Sequence, residues 1–209
     1  MMKLYYSPLS SNGRRAWATM LHVGLQDKVE LVPVDMSKGD HMLPDFLAVN
    51  PNHKVPALVD GDFKLWESMA IAVYLCEQAP GQKLWPTTPR GRADVLRWMS
   101  WQAAHFGPAM GTFNWENVFT KMMNLPSTPG ALEKATKDFH TFAPVLEAAL
   151  EGKKWLVGDD VTLADFYVGA GFSYEPAAKM PLEPYKNIRA WNQRLLTVPA
   201  WLNTAPKLS

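Results

Sequence analysis

The chain has 209 residues, 47% of them hydrophobic and 20% charged, and its formal net charge is +1. This length allows one large domain or two small ones with cores of their own, and so balanced a charge gives no global attraction to nucleic acid or to an acidic membrane. The single cysteine, Cys76, excludes an internal disulfide framework and a Cys-x-x-Cys redox pair. It fits a reducing compartment, no stretch approaches the ~18 apolar residues of a membrane span, and the first residues lack the pattern of a secretory signal. The expectation is a cytoplasmic chain with no membrane or nucleic-acid partner.

The first third alternates strand and helix signals. Lys3–Ser7 is short and aromatic and is stopped by Pro8, which reads as a strand. Ser10, Ser11 and Asn12 are all good helix N-caps. Ala16, Trp17, Met20 and Leu21 then recur at helical spacing, and Gly24 is a natural helix end. Val29–Val34 reads as a second strand, placed at an edge by Pro33. After an irregular stretch over 35–50, Ala57–Asp60 and Phe63–Trp66 flank Gly61-Asp62 and read as a hairpin. A helix is expected over Ser68–Ala79. The order β-α-β, crossover, β-β-α is that of a thioredoxin-like unit, here residues 1–79.

Residues 80–91, PGQKLWPTTPRG, form the clearest linker. Residues 92–209 read as an all-helical domain, with patterning over Ala93–Phe106, Ala131–Leu150, Leu163–Val168 and Ile188–Leu196. Pro108 is expected to break the helical run, and Pro144 to kink or break the helix that contains it. Thr162-Leu163-Ala164-Asp165 is a Thr-x-x-Asp helix start with a structural role. The fold class is therefore α/β plus all-α.

The most specific segment is Asn50–Glu77, NPNHKVPALVDGDFKLWESMAIAVYLCE. It resembles the glutathione site of the glutathione transferase family: Asn-Pro, then aliphatic-Pro-Ala-Leu, Asp-Gly, and Glu-Ser-x-Ala-Ile-x-x-Tyr-Leu. Trp155–Phe166 and Tyr185–Leu195 resemble later family segments, and the resemblance is weak from about Gly107 to Leu132. It points to the serine-type theta, phi and zeta classes and has a bacterial cast.

The resemblance implies a cis bond at Val55-Pro56. The Val55 backbone then offers a strand edge to the cysteinyl part of glutathione. It implies that the Ser68 hydroxyl and amide hold the γ-glutamyl carboxylate and that Glu67 faces the ammonium; the start of a helix suits an anion. His41 and Lys54 are the candidates for the glycyl carboxylate. Asp35–Leu47 resembles a phi-class stretch in which His-Lys precedes Pro-Asp-Phe-Leu; His41 matches, and Met42 stands where the lysine would be. His53, beside Lys54, is a weaker candidate.

A free thiol has a pKa of about 8.5, so activation requires preferential stabilisation of the thiolate. A hydroxyl donor at the start of the first helix can supply it, aided by the helix dipole. In the family the activating serine precedes the glycine matching Gly24 by fourteen residues, which selects Ser10. Ser11 and Asn12 are the alternatives, and Tyr6 is the choice for a tyrosine-type enzyme. One of the first three must in any case cap the helix.

His105, Phe106, Met110, Phe113 and Trp115 are candidate liners of an apolar substrate pocket. The sequence has no metal-ligand spacing and no phosphate-binding glycine loop. The reading is an enzyme that takes glutathione as co-substrate, conjugates it to small apolar electrophiles and forms a homodimer. The alternative is a non-catalytic binding or regulatory module of the same fold.

Overall fold

The computed structural model describes residues 1–208. It contains two compact units: Met1–Trp85 together with the chain from Val198 onward, and Pro86–Thr197. The first division falls inside the proline-rich stretch 80–91. The last residues group with the first unit, whereas the sequence reading carried the helical domain through to 209.

The first unit is built on four strands, β1 (Met2–Tyr6), β2 (Val29–Pro33), β3 (Ala57–Asp60) and β4 (Phe63–Trp66), in the order β2-β1-β3-β4. β1 and β2 are parallel; β1 with β3 and β3 with β4 are antiparallel. Alternation along β1 decides what each face buries. Met2 and Leu4 join Leu58 and pack against Ala16 and Met20 of α1 (Ser11–His22) and Ile71 and Leu75 of α3 (Ser68–Glu77). Tyr5 belongs to the opposite face, beside Val34, Val55 and Phe46 of the short α2 (Pro44–Leu47).

The hairpin lies where the sequence put it, since Gly61 supplies the positive φ that its two-residue turn needs. Pro33 sits on the outer strand, where a missing donor costs no ladder bond. Gly24, with φ +74°, follows the end of α1.

In the second unit a helical rod runs from Pro89 to Met122: α4 (Pro89–Trp101), α5 (Gly107–Asn114) and α6 (Thr120–Met122). π-type turns at Gln102–Phe106 and Trp115–Phe119 join them. Pro108 does not break this rod. The Gly107 N–H reaches back to the Gln102 carbonyl, and the widened turn absorbs the residue that cannot donate. A Cβ on Gly107 would meet that carbonyl oxygen at 2.4 Å, so the turn depends on glycine. Pro89 opens α4, with Thr88 accepting from the Gly91 N–H at 3.1 Å. The helix therefore begins before Ala93, inside the stretch read as linker.

The remaining helices are α7 (Ala131–Ala149), α8 (Leu163–Gly169) and α9 (Lys186–Leu195). α7 continues through Pro144, which lies exposed, so the expected break is absent. Phe106 centres an aromatic core, 4.9 Å from Phe139 and 6.2 Å from Phe172, centroid to centroid; Phe172 is 6.2 Å from Trp191. α10 (Pro199–Asn203) belongs to the first unit, where it packs on α1.

The Thr162–Asp165 motif forms the capping structure the sequence implies. The fully buried Asp165 carboxylate accepts from the Thr162 and Leu156 N–H groups, both at 2.9 Å, and from the Trp191 indole at 2.9 Å. Burial pushes this carboxyl above its ordinary range, while those hydrogen bonds pull the other way. Thr162 Oγ1 donates to it as well, at 3.1 Å, so Asp165→Ala removes the acceptor of four buried donors. We expect a loss of about 3 kcal/mol or more in chemical denaturation; a loss below about 1 kcal/mol would mean that the network carries little stability.

Candidate active site

Three segments of the first unit carry the residues that the sequence singles out: the start of α1, the turn before β3 and the start of α3. At the first, Ser10 is the N-cap of α1, with extended backbone at φ −88° and ψ 115°. Its Oγ accepts from the Gly13 N–H at 3.0 Å. That bond uses one lone pair and leaves the hydroxyl hydrogen free to donate elsewhere. Capping and donation are thus compatible in one side chain. Gly13 fits closely, since a Cβ there would stand 3.2 Å from the Ser7 carbonyl.

Ser11 and Asn12 are the first two helical residues. Asn12 is exposed, and its Oδ1 accepts from the Arg15 guanidinium. Tyr6 is half-buried with its ring 4.9 Å from that of Trp17.

The Val55-Pro56 bond is cis, as the resemblance implied, and β3 begins only at Ala57. Among the described residues the Val55 N–H and C=O have no hydrogen-bond partner, so the backbone there is an open edge. The approach to it is held by buried Asn50, whose Nδ2 donates to the Lys54 carbonyl at 2.6 Å and whose Oδ1 accepts from the Asn52 N–H at 3.0 Å. The Lys54 side chain is exposed. His53 carries φ +58°, a left-handed backbone uncommon outside glycine.

His41 lies in a single 3-10 turn, Asp40–Met42. The Nδ1 atoms of His41 and His53 are both shielded from solvent and have no partner among the described residues. Met42 is 54% exposed.

The third element is the β4–α3 junction. Glu67 occupies the N-cap of α3 at φ 73° and ψ 117°, and no side chain caps this helix. The first-turn amides therefore point outward without an intrahelical acceptor. Ser68 is buried, whereas Glu67 is exposed. The strained φ costs of order 1–3 kcal/mol, and strain of this kind concentrates where a ligand is held.

The five expected pocket liners separate. Phe106, Met110 and Phe113 are at most 4% exposed and belong to the core of the second unit, where Phe113 lies 5.8 Å from Phe139. Burial to this degree leaves them almost no exposed surface with which to line an open pocket. His105 is exposed with its ring 5.5 Å from Phe142, and Trp115 is 45% exposed. Cys76 is buried, and desolvation raises its thiol to about 12, so it is no nucleophile at neutral pH. No cluster of metal-ligating side chains occurs among the described residues. None of their helices is long and apolar enough to cross a membrane.

A four-stranded mixed sheet with α1 and α3 packed on one face and a cis-proline turn before β3 defines a thioredoxin-like unit, here followed in the chain by a helical unit. Residues 4–83 match the family description "Glutathione S-transferase, N-terminal domain", and residues 118–199 match "Glutathione S-transferase, C-terminal domain". Glutathione S-transferase F9 of Arabidopsis thaliana is 31% identical, across 100% of this chain and 99% of that protein. A probable glutathione S-transferase of Oryza sativa subsp. japonica, GSTF2, is 34% identical over 95% and 93% of the two. Among solved structures, glutathione transferase F2 from Populus trichocarpa superposes with a TM-score of 0.88 at 28% identity, over 98% of this chain and 97% of that one. The chain belongs to the glutathione S-transferase family. The bacterial cast read from the sequence is not supported, since these relatives are plant proteins.

Glu67 permits a direct test of the strained junction. Glycine accepts this φ and alanine does not, so Glu67→Gly should be more stable than Glu67→Ala by about 1 kcal/mol in urea denaturation. Alanine equal to glycine would mean that the backbone there relaxes freely.

Proposed function

We propose that the protein binds glutathione on its first unit, stabilises the thiolate with Ser10 and conjugates it to small apolar electrophiles. The observation that carries this reading is the pairing of an open Val55 edge with a helix-capping serine whose hydroxyl hydrogen remains free. The cysteinyl backbone of glutathione adds to the Val55 edge as a short antiparallel strand. Its γ-glutamyl carboxylate meets the uncapped first turn of α3 and the Ser68 hydroxyl, with Glu67 toward the ammonium. His41 and Lys54 supply the glycyl end.

With the tripeptide held at both ends, the sulfur is directed to the start of α1. There the Ser10 hydroxyl donates to it, and the positive end of the helix adds to the preference for the anion. The thiolate then attacks the electrophile, forming the carbon–sulfur bond while the electrophile's leaving group or π-electrons take the displaced pair. The enzyme's part is positioning and charge stabilisation. His105 and Trp115, on the surface of the helical unit, remain the candidate contacts to the electrophile. A homodimer in the cytoplasm completes the proposal; its motive is family likeness.

Ser10→Ala tests the assignment. Loss of one charge-assisted hydrogen bond, ~1.5–3 kcal/mol, lowers turnover roughly tenfold to hundredfold. Glutathione affinity should stay nearly intact, while the pH at which bound glutathione ionises rises, followed by thiolate absorbance. The lost cap costs about 1 kcal/mol of stability as well. A rise in that pH for Ser11→Ala or Asn12→Ala, with Ser10→Ala unchanged, would move the role to that residue. Should none of the three shift it, Tyr6→Phe is the next variant and the serine assignment fails.

A further inference from the structure

The C-terminal segment holds the helix that carries Ser10. α10 packs on α1 within the first unit, and the contact includes one buried cation–aromatic pair. The Arg14 guanidinium carbon lies 3.8 Å from the centroid of the Trp201 ring. Its Nη2 also donates to the Trp201 carbonyl at 2.8 Å, across 187 positions of sequence. Arg14 is 4% exposed and Trp201 1%.

A buried guanidinium is tolerated only where its charge is met by well-placed partners. Trp201 supplies two at once, an aromatic face and a carbonyl in the last turn of α10. That end of a helix carries the negative dipole and unpaired acceptors that favour a cation. Such a contact fixes the planar fork in both position and orientation.

The consequence for the site runs through one turn of backbone. The Arg14 N–H donates to the Ser10 carbonyl at 2.8 Å, and the Gly13 N–H donates to Ser10 Oγ at 3.0 Å. Fixing Arg14 therefore fixes the turn that aims the Ser10 hydroxyl. A displacement of about 1 Å at such a donor is enough to cost much of its catalytic effect. α10 is closed at both ends, for Pro199 opens the helix and Thr204 Oγ1 donates to the Ala200 carbonyl at 2.9 Å.

We propose that Arg14 is a positioning residue for thiol activation, and that Trp201 of the C-terminal helix is the clamp that holds it. Arg14 acts through Ser10 and makes no contact with glutathione. The proposal rests on the assignment of thiol activation to Ser10, and the experiment separates the two. Arg14→Met and Trp201→Leu are compared with the unaltered protein by thiolate absorbance of bound glutathione against pH. Affinity for S-methylglutathione, which has no thiol to ionise, is measured alongside.

Both variants should raise the ionisation pH by about one unit, a tenfold smaller thiolate fraction at a given pH. Turnover at neutral pH falls in parallel, and S-methylglutathione affinity stays within about twofold. Arg14→Lys keeps the charge and stem but loses the planar fork; it shifts the ionisation pH in the same direction and carries the test if Arg14→Met does not fold. Folded variants with an unchanged ionisation pH would reduce the pair to a structural contact and overturn the proposal. So would a loss of S-methylglutathione affinity in step with turnover. If Ser10→Ala leaves the ionisation pH of bound glutathione unmoved, the assignment beneath the proposal fails and the proposal with it.

Discussion

The first turn of a helix presents backbone donors that its own hydrogen bonds cannot satisfy, and α1 and α3 of the first unit meet this constraint in opposite ways. α1 closes on itself: Ser10 accepts from Gly13 and its carbonyl accepts from Arg14. α3 stays open, with no side-chain cap and a strained Glu67 in front of it. The closed start offers a single directed hydroxyl hydrogen. The open start offers a group of amides suited to a carboxylate. A tripeptide with a thiol in the middle and a carboxylate at its γ-glutamyl end has chemistry complementary to this pair.

The openness of the Val55 edge follows from where β3 begins. The sheet pairs Tyr5 with Ala57 and Ala57 with Trp66, so the ladder closes one residue beyond the Val55-Pro56 peptide. Asn50 then ties the preceding turn through the Lys54 carbonyl and the Asn52 amide. Backbone that is fixed by a buried side chain yet unpaired is prepared for a strand-like ligand, with little ordering left to be done on binding. The same economy holds at α1, where the C-terminal helix supplies order from far along the chain.

Much of the first unit was legible in the sequence because its signals are local. Gly61-Asp62 between two short apolar runs fixes the hairpin, and Val-Pro followed by Glu-Ser fixes the turn and the helix start. The Thr162–Asp165 motif likewise needs only four residues to declare itself. The rod from Pro89 to Met122 resisted reading for a physical reason. Each π-type turn inserts a residue into the helical repeat, which shifts the apolar stripe and lets Pro108 pass without a break. The sequence does not separate pocket wall from core at Phe106, Met110 and Phe113, because an apolar wall and an apolar core have the same composition; only their burial in three dimensions distinguishes them. The return of Trp201 to Arg14 is a contact between distant residues and leaves no local pattern.

The central claim is that the first unit binds glutathione. It is tested most directly by thermal unfolding of the unaltered protein with and without glutathione. Preferential binding to the folded state raises the midpoint with ligand concentration, by about 2.7 kcal/mol of stability at a hundredfold excess over Kd. The account predicts a midpoint that climbs steadily through millimolar glutathione and does not respond to an equal concentration of free cysteine and glycine. A midpoint unmoved by glutathione in a folded, cooperative protein would contradict it.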